Sequence, residues 1–347
     1  MFEHIEFDNL RAIGLTQGLV NRIFQLPHPA ANALIGRVIE TQRDAFTLHD
    51  GLRERLARRL HHATQVTVGD WVVAQEDGHG DTWIAEVVEP LTQIARRAND
   101  GRRQPLASNV DTALLVMGLD ADFNPRRMER YLAMVRACGV VPVVVLTKAD
   151  IASDAKERAA EIYKRLPATV PVIPVNAHSN EARAAIAPWL HTGQTLVLLG
   201  SSGAGKSTLT NTLAGAGQAT GGVRAGDGRG RHTTTARSLH LCEQGACIID
   251  TPGLRTWRPD ADAESLAATF EDVQGLAMHC QFRDCRHDGE PGCAVRGHID
   301  ADRLGNYKKL LRDAARAEMG PLQRQEMRRK WSALGKAGAR RSREKRM

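Results

Sequence analysis

The fold is decided by the stretch Gly200-Ser201-Ser202-Gly203-Ala204-Gly205-Lys206-Ser207, which matches the pattern G-x-x-x-x-G-K-[ST]. The apolar run before it, Thr195 to Leu199, predicts a buried strand, and Ser207 to Leu213 predicts the helix that follows. A glycine-rich turn between a strand and a helix can direct several backbone amides at one anion. The sequence therefore predicts a phosphate-binding loop in an α/β domain.

This loop predicts a nucleoside triphosphate as the ligand. In such loops the lysine contacts the β and γ phosphates and the following hydroxyl ligates Mg²⁺, which assigns these roles to Lys206 and Ser207. Thr208 completes the predicted phosphate-binding set. The alternative, a glycine-rich turn that matches by chance, disagrees with the strand and helix on either side. The loop does not indicate which base is bound.

A second motif, Thr147-Lys148-Ala149-Asp150, indicates the base. It ends the apolar run Val140 to Leu146, so Asp150 would stand at the carboxyl end of a strand, where open α/β sheets bind ligands. Its carboxylate can accept hydrogen bonds from N1 and N2 of guanine, whereas adenine offers no such pair of donors. The motif resembles the N-K-x-D of GTPases, with Thr147 in place of asparagine, and we expect this shorter side chain to lose a contact to the base. Alone the motif is typical of a solvated turn, but with the phosphate loop it predicts a guanine nucleotide.

Two further segments predict a switch that responds to the γ phosphate. The short apolar strand at Cys247 runs into Asp250-Thr-Pro-Gly253, a D-x-x-G that would place Asp250 near Mg²⁺ and the Gly253 amide near the γ phosphate. Residues 215–231 contain seven glycines and lead into Thr233-Thr234-Thr235, where Thr234 is our candidate ligand for Mg²⁺. A flexible surface loop with incidental threonines is the alternative interpretation.

The residues around the switch also predict slow hydrolysis. Many GTPases carry a water-orienting glutamine after D-x-x-G, but Leu254 holds that position and forms no hydrogen bond. A partner would complete the site, or His232 would hold the water, with a backbone or RNA contact as the equal alternative for this histidine. Arg231 and Arg255 are candidates for stabilising transition-state charge.

A cysteine cluster, Cys280-x₄-Cys285-x-His287-x₅-Cys293, predicts a closed tetrahedral Zn²⁺ site of structural type. The opening residues carry acids and no apolar core, so we expect a reducing cytoplasm and no disulfides. His279 and His298 flank the cluster and remain alternatives to His287. The other three cysteines have apolar neighbours, which predicts burial; they are Cys138, Cys242 and Cys247.

The order of these motifs is inverted, because the base motif precedes the phosphate loop. This order resembles the circularly permuted GTPases and, within them, the RsgA (YjeQ) family of small-ribosomal-subunit-dependent GTPases. The resemblance is carried also by Gln104 to Asp111, by Arg231 to Thr235 and by the cysteine cluster, and covers nearly the whole chain. It implies that Asn176-Ala177 is a second base-side loop, with Asn176 departing from the family's S-A, and it supports His287 as the zinc ligand.

The chain has room for two or three domains, and its 42% apolar residues suffice for a core in each. Short strands separated by turns predict a small N-terminal barrel, which the resemblance implies is an OB-fold. We thus predict a multidomain protein with an OB-fold barrel at 1–100, a circularly permuted α/β P-loop GTPase domain at 101–260, and a mostly helical zinc-binding module with a basic tail at 261–347. The barrel strands are expected at Leu34 to Glu40, Ala45 to Leu48, Gly69 to Ala74 and Trp83 to Val88.

Charge is concentrated at the C-terminus, where residues 321–347 hold ten Lys or Arg against two Glu, although the whole chain carries only +7. Such a tail predicts contact with nucleic acid, with a solvated or disordered tail as the alternative. Arginines in the barrel and just beyond it would either face phosphate or form an ordinary solvated surface; they are Arg53, Arg55, Arg58, Arg59, Arg96, Arg97, Arg102 and Arg103.

The family resemblance implies the partners: GTP and GDP, the 30S ribosomal subunit and its 16S rRNA, with the protein acting as a monomer in the cytoplasm. No run of eighteen apolar residues is present, which argues against a membrane span. We expect a GTPase of low intrinsic rate that the 30S subunit stimulates during late maturation, with hydrolysis coupled to release. The alternatives are a zinc-dependent rRNA-binding assembly factor with a passive nucleotide site and an ATP-using P-loop enzyme.

Overall fold

A computed structural model of the chain describes residues 6–26, 33–42, 45–59, 65–97, 102–215, 237–250, 263–318 and 323. Eleven of the described strands form one continuous sheet, part of which closes into a barrel while the rest stays open between two layers of helices. None of the helices described is both long and apolar enough to span a bilayer.

The N-terminal part is a closed five-stranded barrel preceded by the helices Phe7–Ala12 (α1) and Gln17–Gln25 (α2). Its strand β1 pairs with both β2 and β4, and β3 pairs with β2 and β5, so the ring closes in the order β1-β2-β3-β5-β4. The barrel strands are Ala33–Gln42 (β1), Ala45–His49 (β2), Glu54–Arg59 (β3), Trp71–Glu76 (β4) and Thr82–Val87 (β5).

Four of these strands were predicted, but β3 was not, because its sequence Glu-Arg-Leu-Ala-Arg-Arg lacks an apolar alternation. Two of its arginines contact the barrel itself. Arg55 forms ion pairs with Asp50 at 2.9 Å and with Glu76 at 3.2 Å. The Arg59 guanidinium lies 5.5 Å from the centre of the Phe46 ring. Arg58 is exposed, so of these three arginines it is the freest to face a partner.

The open part of the sheet has the order β10-β9-β8-β11-β13-β12, in which β12 alone is antiparallel. A separate antiparallel pair of strands, β6 and β7, precedes it, and the predicted domain boundaries stay a prediction. The elements are Gln93–Arg97 (β6), Arg103–Ser108 (β7), Thr112–Gly118 (β8), Pro125–Ala137 (α3), Val141–Thr147 (β9), Ala155–Arg165 (α4), Val172–Pro174 (β10), Asn180–Ile186 (α5), Thr195–Leu199 (β11), Lys206–Ala214 (α6), Arg237–Leu241 (β12) and Cys247–Asp250 (β13).

Strand β8 lies at the middle of this open sheet and is buried along its whole length. Its alternate residues belong to two separate apolar cores, Leu115 and Met117 to one and Leu114 and Val116 to the other. A parallel strand covered on both faces reads as a continuous apolar run, as the sequence here does. The predicted strands at Thr195 and Cys247 are confirmed, and Cys247 is buried as predicted.

The barrel and the open sheet are joined through β1, whose far end pairs with β12 at Glu40 and Thr41. The fully buried Arg37 reinforces this junction. Its guanidinium donates to the carbonyl of Ile13, to the carbonyl of Asn109 at 3.2 Å and to the Thr195 hydroxyl at 2.9 Å. Burial lowers the pKa of Arg37 despite the acidic groups around it. One cation thus ties the N-terminal helices, the barrel and the open sheet together.

In the C-terminal part, helices Ala263–Thr269 (α7) and Ala301–Glu318 (α9) pack against α3, helix Glu271–Ala277 (α8) packs against α7, and the loop between α8 and α9 contains the cysteine cluster. An ionic network fixes this packing. Glu129 of α3 is fully buried and accepts from Arg303 at 2.8 Å and from Asn306 at 2.5 Å. Arg303 also binds Asp272 at 2.7 Å and stacks on Phe270 at 4.6 Å.

Burial acts to lower the pKa of Arg303, but its carboxylate partners outweigh that effect and raise the pKa above its ordinary value. Burial also raises the pKa of Glu129, against the donors that it accepts from. Glu129 and Arg303 are 0% and 5% exposed, so the pair is held out of water, where a charge is costly unless its partner is present.

Replacing Glu129 with Ala should therefore lower the free energy of unfolding by about 3 kcal/mol, because Arg303 would stay buried with one carboxylate partner fewer. Thermal or urea-induced unfolding measures the change. The control is Asp8→Ala, since Asp8 pairs with Arg11 on the surface, where an ion pair contributes little. Equal stability of the two variants would contradict the importance of the network.

Candidate nucleotide site and metal centre

Two predicted nucleotide motifs meet at one edge of the open sheet. Parallel strands β9, β8 and β11 are neighbours, and the loops that follow β9 and β11 carry the base motif and the phosphate loop. Strand β13 lies beyond β11 and ends at Asp250 on the same edge. This is the edge at which open α/β sheets bind their ligands.

The phosphate loop has the backbone that its glycines predict. Gly203 and Gly205 have φ values of 84° and 88°, in the left-handed region that favours glycine. A Cβ on Gly200 would lie 2.3 Å from the carbonyl oxygen of Val116, so only glycine allows this approach. Helix α6 begins at Lys206, directly after Gly205, with its N-terminal amides at the loop. Ser202 and Ser207 are exposed, whereas Ala204 is buried.

The base motif is bonded directly to the phosphate loop. Thr147 is fully buried and its hydroxyl donates to the carbonyl of Ala204 at 2.6 Å. The Lys148 ammonium donates to the carbonyl of Gly203 at 2.8 Å and pairs with Asp120 at 2.6 Å. Lys148 itself has a φ of 61°. The Thr147 hydroxyl therefore donates to the phosphate loop, and a contact of this length requires a short donor at this position.

The predicted second base-side loop, Asn176-Ala177, lies beside the base motif. The Ala149 amide donates to the carbonyl of Val175 at 3.2 Å, which places Asp150, itself exposed, next to the end of β10. The Asn176 side chain accepts from the amide of His178 at 3.0 Å, and the Ala177 carbonyl accepts from Thr212 of α6 at 2.6 Å. These contacts hold the loop against the helix that follows the phosphate loop.

Lys206 is folded back onto the loop that carries it. Its ammonium donates to the carbonyls of Gly200 at 3.0 Å and Ser201 at 2.7 Å. Burial lowers the pKa of Lys206, while the charges of Asp250 and Asp122 oppose that shift. Among the described residues its hydrogen-bond acceptors are these two neutral carbonyls, and a buried cation so held offers a favourable position to an anionic ligand.

Sequence reasoning missed two residues at this edge, Asp120 and Asp122. They lie in the loop between β8 and α3, between the base motif and the phosphate loop. The Lys148 ammonium holds the pKa of Asp120 below its usual range. Asp122 accepts from the Ser201 hydroxyl at 2.5 Å. The sequence pattern that could have indicated them is a pair of acids directly after a buried strand, at the edge where such sheets bind ligands.

Several predicted residues lie outside the described part of the chain. The switch candidates are His232, Thr234, Gly253 and Leu254, with Arg231 and Arg255 beside them. Nearly all of the basic tail also lies outside it. Of the predicted D-x-x-G motif, the described residues contain only Asp250, half-buried at the end of β13.

The structure brings the four predicted metal ligands together. Within the described residues, one group of metal-binding type is found, in which the ligand atoms of Cys280, Cys285, His287 and Cys293 all lie within 4.8 Å of one another. His279 and His298 are both exposed and neither belongs to this group. Three sulfurs and one imidazole at this spacing suit tetrahedral Zn²⁺.

Hydrogen bonds within the ligand group and from one neighbouring amide act on its thiols. Burial acts to raise the pKa of Cys293, but donors from the Arg296 amide and the His287 ring outweigh it and lower the pKa to about 6. Desolvation raises the pKa of Cys285 to about 11. The hydrogen bonds to Cys293 therefore favour its thiolate, which is the form of cysteine that binds metal.

Two charged side chains hold the metal-binding loop in shape. The carboxylate of Glu290 accepts from the amides of Arg286, Asp288 and Gly289. Its own backbone amide, together with these three, lowers the pKa of Glu290 to about 2. Lys308 of α9 donates to the carbonyl of His287 at 2.6 Å. The His287 backbone is left-handed, with a φ of 59°. The loop is therefore anchored to the same helix that carries Arg303.

Comparisons with known proteins agree with this architecture. The fold matches the crystal structure of YjeQ from Thermotoga maritima with a TM-score of 0.60 and 22% identity, over 82% of this chain and 99% of that one. It matches the structure of YloQ, described as a circularly permuted GTPase, with a TM-score of 0.57 and 23% identity, over 85% of this chain and 99% of that one. The fold is that of a circularly permuted GTPase.

The sequence comparisons identify the family. The model of the RsgA GTPase family matches residues 88–259. A relative from Xanthomonas oryzae pv. oryzae (strain MAFF 311018), named small ribosomal subunit biogenesis GTPase RsgA, is 44% identical over 307 residues, covering 84% of this chain and 83% of the relative. RsgA 2 of Vibrio vulnificus (strain CMCP6) is 43% identical over 293 residues, covering 82% of each. The chain belongs to the RsgA GTPase family, as its motif order indicated.

Replacing Cys293 with Ala should abolish stoichiometric zinc in the purified protein, because three ligands would remain of four. Elemental analysis of the protein measures the metal content. Cys138→Ala is the matched control, since Cys138 follows α3 and lies outside the ligand group. Equal zinc in both variants would show that the metal, if bound, is held elsewhere.

Proposed function

We propose that this chain is a GTP hydrolase that binds the 30S ribosomal subunit and acts in its late maturation. The names of its relatives support the biological role, since they are called small ribosomal subunit biogenesis GTPases. The observation that carries the biochemical part is the direct bonding of base motif to phosphate loop, from Thr147 to Ala204 at 2.6 Å and from Lys148 to Gly203 at 2.8 Å. These contacts support a single site in which the base motif and the phosphate loop bind the same nucleotide.

In this proposal each motif serves one part of the nucleotide. Asp150 accepts from N1 and N2 of guanine, with the loop at Asn176 and Ala177 on the same side of the base. Amides of the phosphate loop surround the phosphates, and Lys206 leaves its carbonyl partners to bind the β and γ phosphates. The residues proposed to bind nucleotide are Thr147, Lys148, Ala149, Asp150, Asn176, Ala177, Gly200, Ser201, Ser202, Gly203, Ala204, Gly205, Lys206, Ser207 and Thr208.

The residues at the phosphate edge fit Mg²⁺. The Ser207 hydroxyl is exposed at the first turn of α6, and Asp250 ends the neighbouring strand β13. Ser207 would hold the ion together with Thr234, with Asp250 near its coordination sphere and the Gly253 amide toward the γ phosphate. Bound Mg²⁺ would offset the charge of the β and γ phosphates. His232 remains our candidate for orienting the water in place of Leu254.

The zinc centre is proposed to be structural. Its four ligands leave no open position for a substrate, and Lys308 connects its loop to α9 and so to the buried ion pair with Glu129. Zn²⁺ would supply folding energy to this loop-rich region. We propose that it shapes a surface for RNA and does no chemistry.

The contact with the ribosomal subunit is proposed to involve three regions: the barrel, the zinc module and the basic tail. The closed five-stranded order supports an OB-fold, an architecture that often binds RNA. Arg58 on the barrel offers an exposed cation to 16S rRNA. We propose that a monomer of this protein binds the subunit in the cytoplasm with GTP and leaves after hydrolysis.

Asp150→Asn should lower affinity for GTP at least about a hundredfold and shift preference to xanthine nucleotides, because an amide repels one guanine donor and accepts the xanthine pattern. Competition binding with GTP, XTP and ATP measures this. The matched control is Asp154→Asn, whose carboxylate pairs with Arg158 instead. An unchanged preference for guanine nucleotides in Asp150→Asn would contradict the proposal that Asp150 binds the base.

GTP turnover should rise when purified 30S subunits are added, and Lys206→Ala should abolish that rise because it removes the phosphate-binding cation. The second readout is co-sedimentation with the subunit, which we expect to be stronger with a non-hydrolysable GTP analogue than with GDP. Equal co-sedimentation with both nucleotides would contradict coupling of hydrolysis to release, and an unstimulated rate would contradict the proposed partner.

A further inference from the structure

The loop between β8 and α3 bonds to the phosphate loop through a single carboxylate, that of Asp122. One of its oxygens accepts from the Ser201 hydroxyl at 2.5 Å and from the Arg127 guanidinium at 2.6 Å. The other accepts from the amide of Gly118, at the end of β8, at 3.2 Å. The Asp122 side chain is 13% exposed, so these partners replace most of the water that a free carboxylate would hold.

These contacts complete the support of the phosphate loop. Thr147 and Lys148 bond to the carbonyls of its second half, at Ala204 and Gly203. Asp122 bonds to its first half, through the side chain of Ser201. Amides of such a loop bind phosphate only while they point to a common centre, which requires both halves to be fixed.

The charge of Asp122 also requires an explanation, because a carboxylate beside a phosphate site repels the ligand. Arg127 supplies it. Its guanidinium bonds to the Asp122 carboxylate and to the carbonyl of the same residue. The amide of Arg127 is in turn held by the Asn124 side chain, which caps α3. The pair is therefore nearly neutral and fixed at the start of a helix.

We propose that Asp122 is a positioning residue for the diphosphate of the bound nucleotide. With Arg127 it holds Ser201, and thereby the first half of the phosphate loop, in the conformation that receives the β phosphate, without touching the nucleotide itself. This inference rests on the proposed nucleotide site. The competing role for Asp122 is purely structural, as a link between β8 and the start of α3.

The two roles differ in which ligands they affect. If Asp122 is a positioning residue, its loss lowers the affinity for GDP. The affinity for GMP, which has no β phosphate, stays nearly unchanged. If the role is purely structural, removing Asp122 lowers the affinities for GDP and GMP equally or changes neither. Ser201→Ala separates the roles further, because it removes one hydroxyl from the loop and leaves the contacts of Asp122 to Arg127 and Gly118 in place.

The experiment measures GDP and GMP affinities by calorimetry or competition for the full chain and for Asp122→Ala, Ser201→Ala, the double variant and Asp122→Asn. We expect Asp122→Ala and Ser201→Ala each to lower GDP affinity by about tenfold, because each breaks a hydrogen bond to a charged group. The double variant should lose no more GDP affinity than the weaker-binding single variant, because both substitutions remove the same hydrogen bond. Asp122→Asn should bind better than Asp122→Ala, because its amide oxygen still accepts from Ser201.

The matched control is Asp154→Ala, another acid near the nucleotide edge, whose carboxylate is bound by Arg158. It should keep the wild-type ratio of GDP to GMP affinity. Unchanged GDP affinity in Ser201→Ala and Asp122→Ala would overturn the inference, and so would equal losses of GDP and GMP affinity. Should Asp122→Ala fail to fold, Ser201→Ala alone decides. Absence of GDP binding by the unmodified chain would instead refute the nucleotide site itself.

Discussion

The pairing of β8 with both β9 and β11 is the constraint on which the nucleotide site depends. It brings the loops after three strands to one edge, although those loops lie far apart in the sequence. The loop after β8 occupies the middle position and supplies Asp120 to Lys148 and Asp122 to Ser201. The inverted chain order changes which strand comes first and leaves this spatial arrangement intact, which is why a permuted chain can present both motifs together.

The rest of the protein is attached to that sheet on two sides. On one side β12 pairs with β1, so backbone hydrogen bonds run without a break into the barrel, and Arg37 seals the junction. On the other side the attachment is ionic, through Glu129 and Arg303. Helix α3 takes part in both the site and this second attachment, since Arg127 in its first turn binds Asp122 and Glu129 two residues later binds Arg303.

Features with a local signature could be predicted from the sequence. The phosphate loop, its strand and helix, the base motif and the Cys₃His cluster each lie within a short stretch whose residue types decide the conformation. Strand β3 was missed because it is rich in arginine, and only its pairing with β2 and β5 makes it a strand. The contact between Asp122 and Ser201 joins residues 79 positions apart, so no local pattern contains it.

Thr147 illustrates what such a motif encodes. The structure requires from its side chain a short donor that reaches the carbonyl of Ala204, and a threonine hydroxyl does so from a buried position. The requirement is a direction and a length, which more than one amino acid can meet. A search of genomes that demanded asparagine at this position would therefore pass over this chain, whereas one that allowed any short donor there would find it.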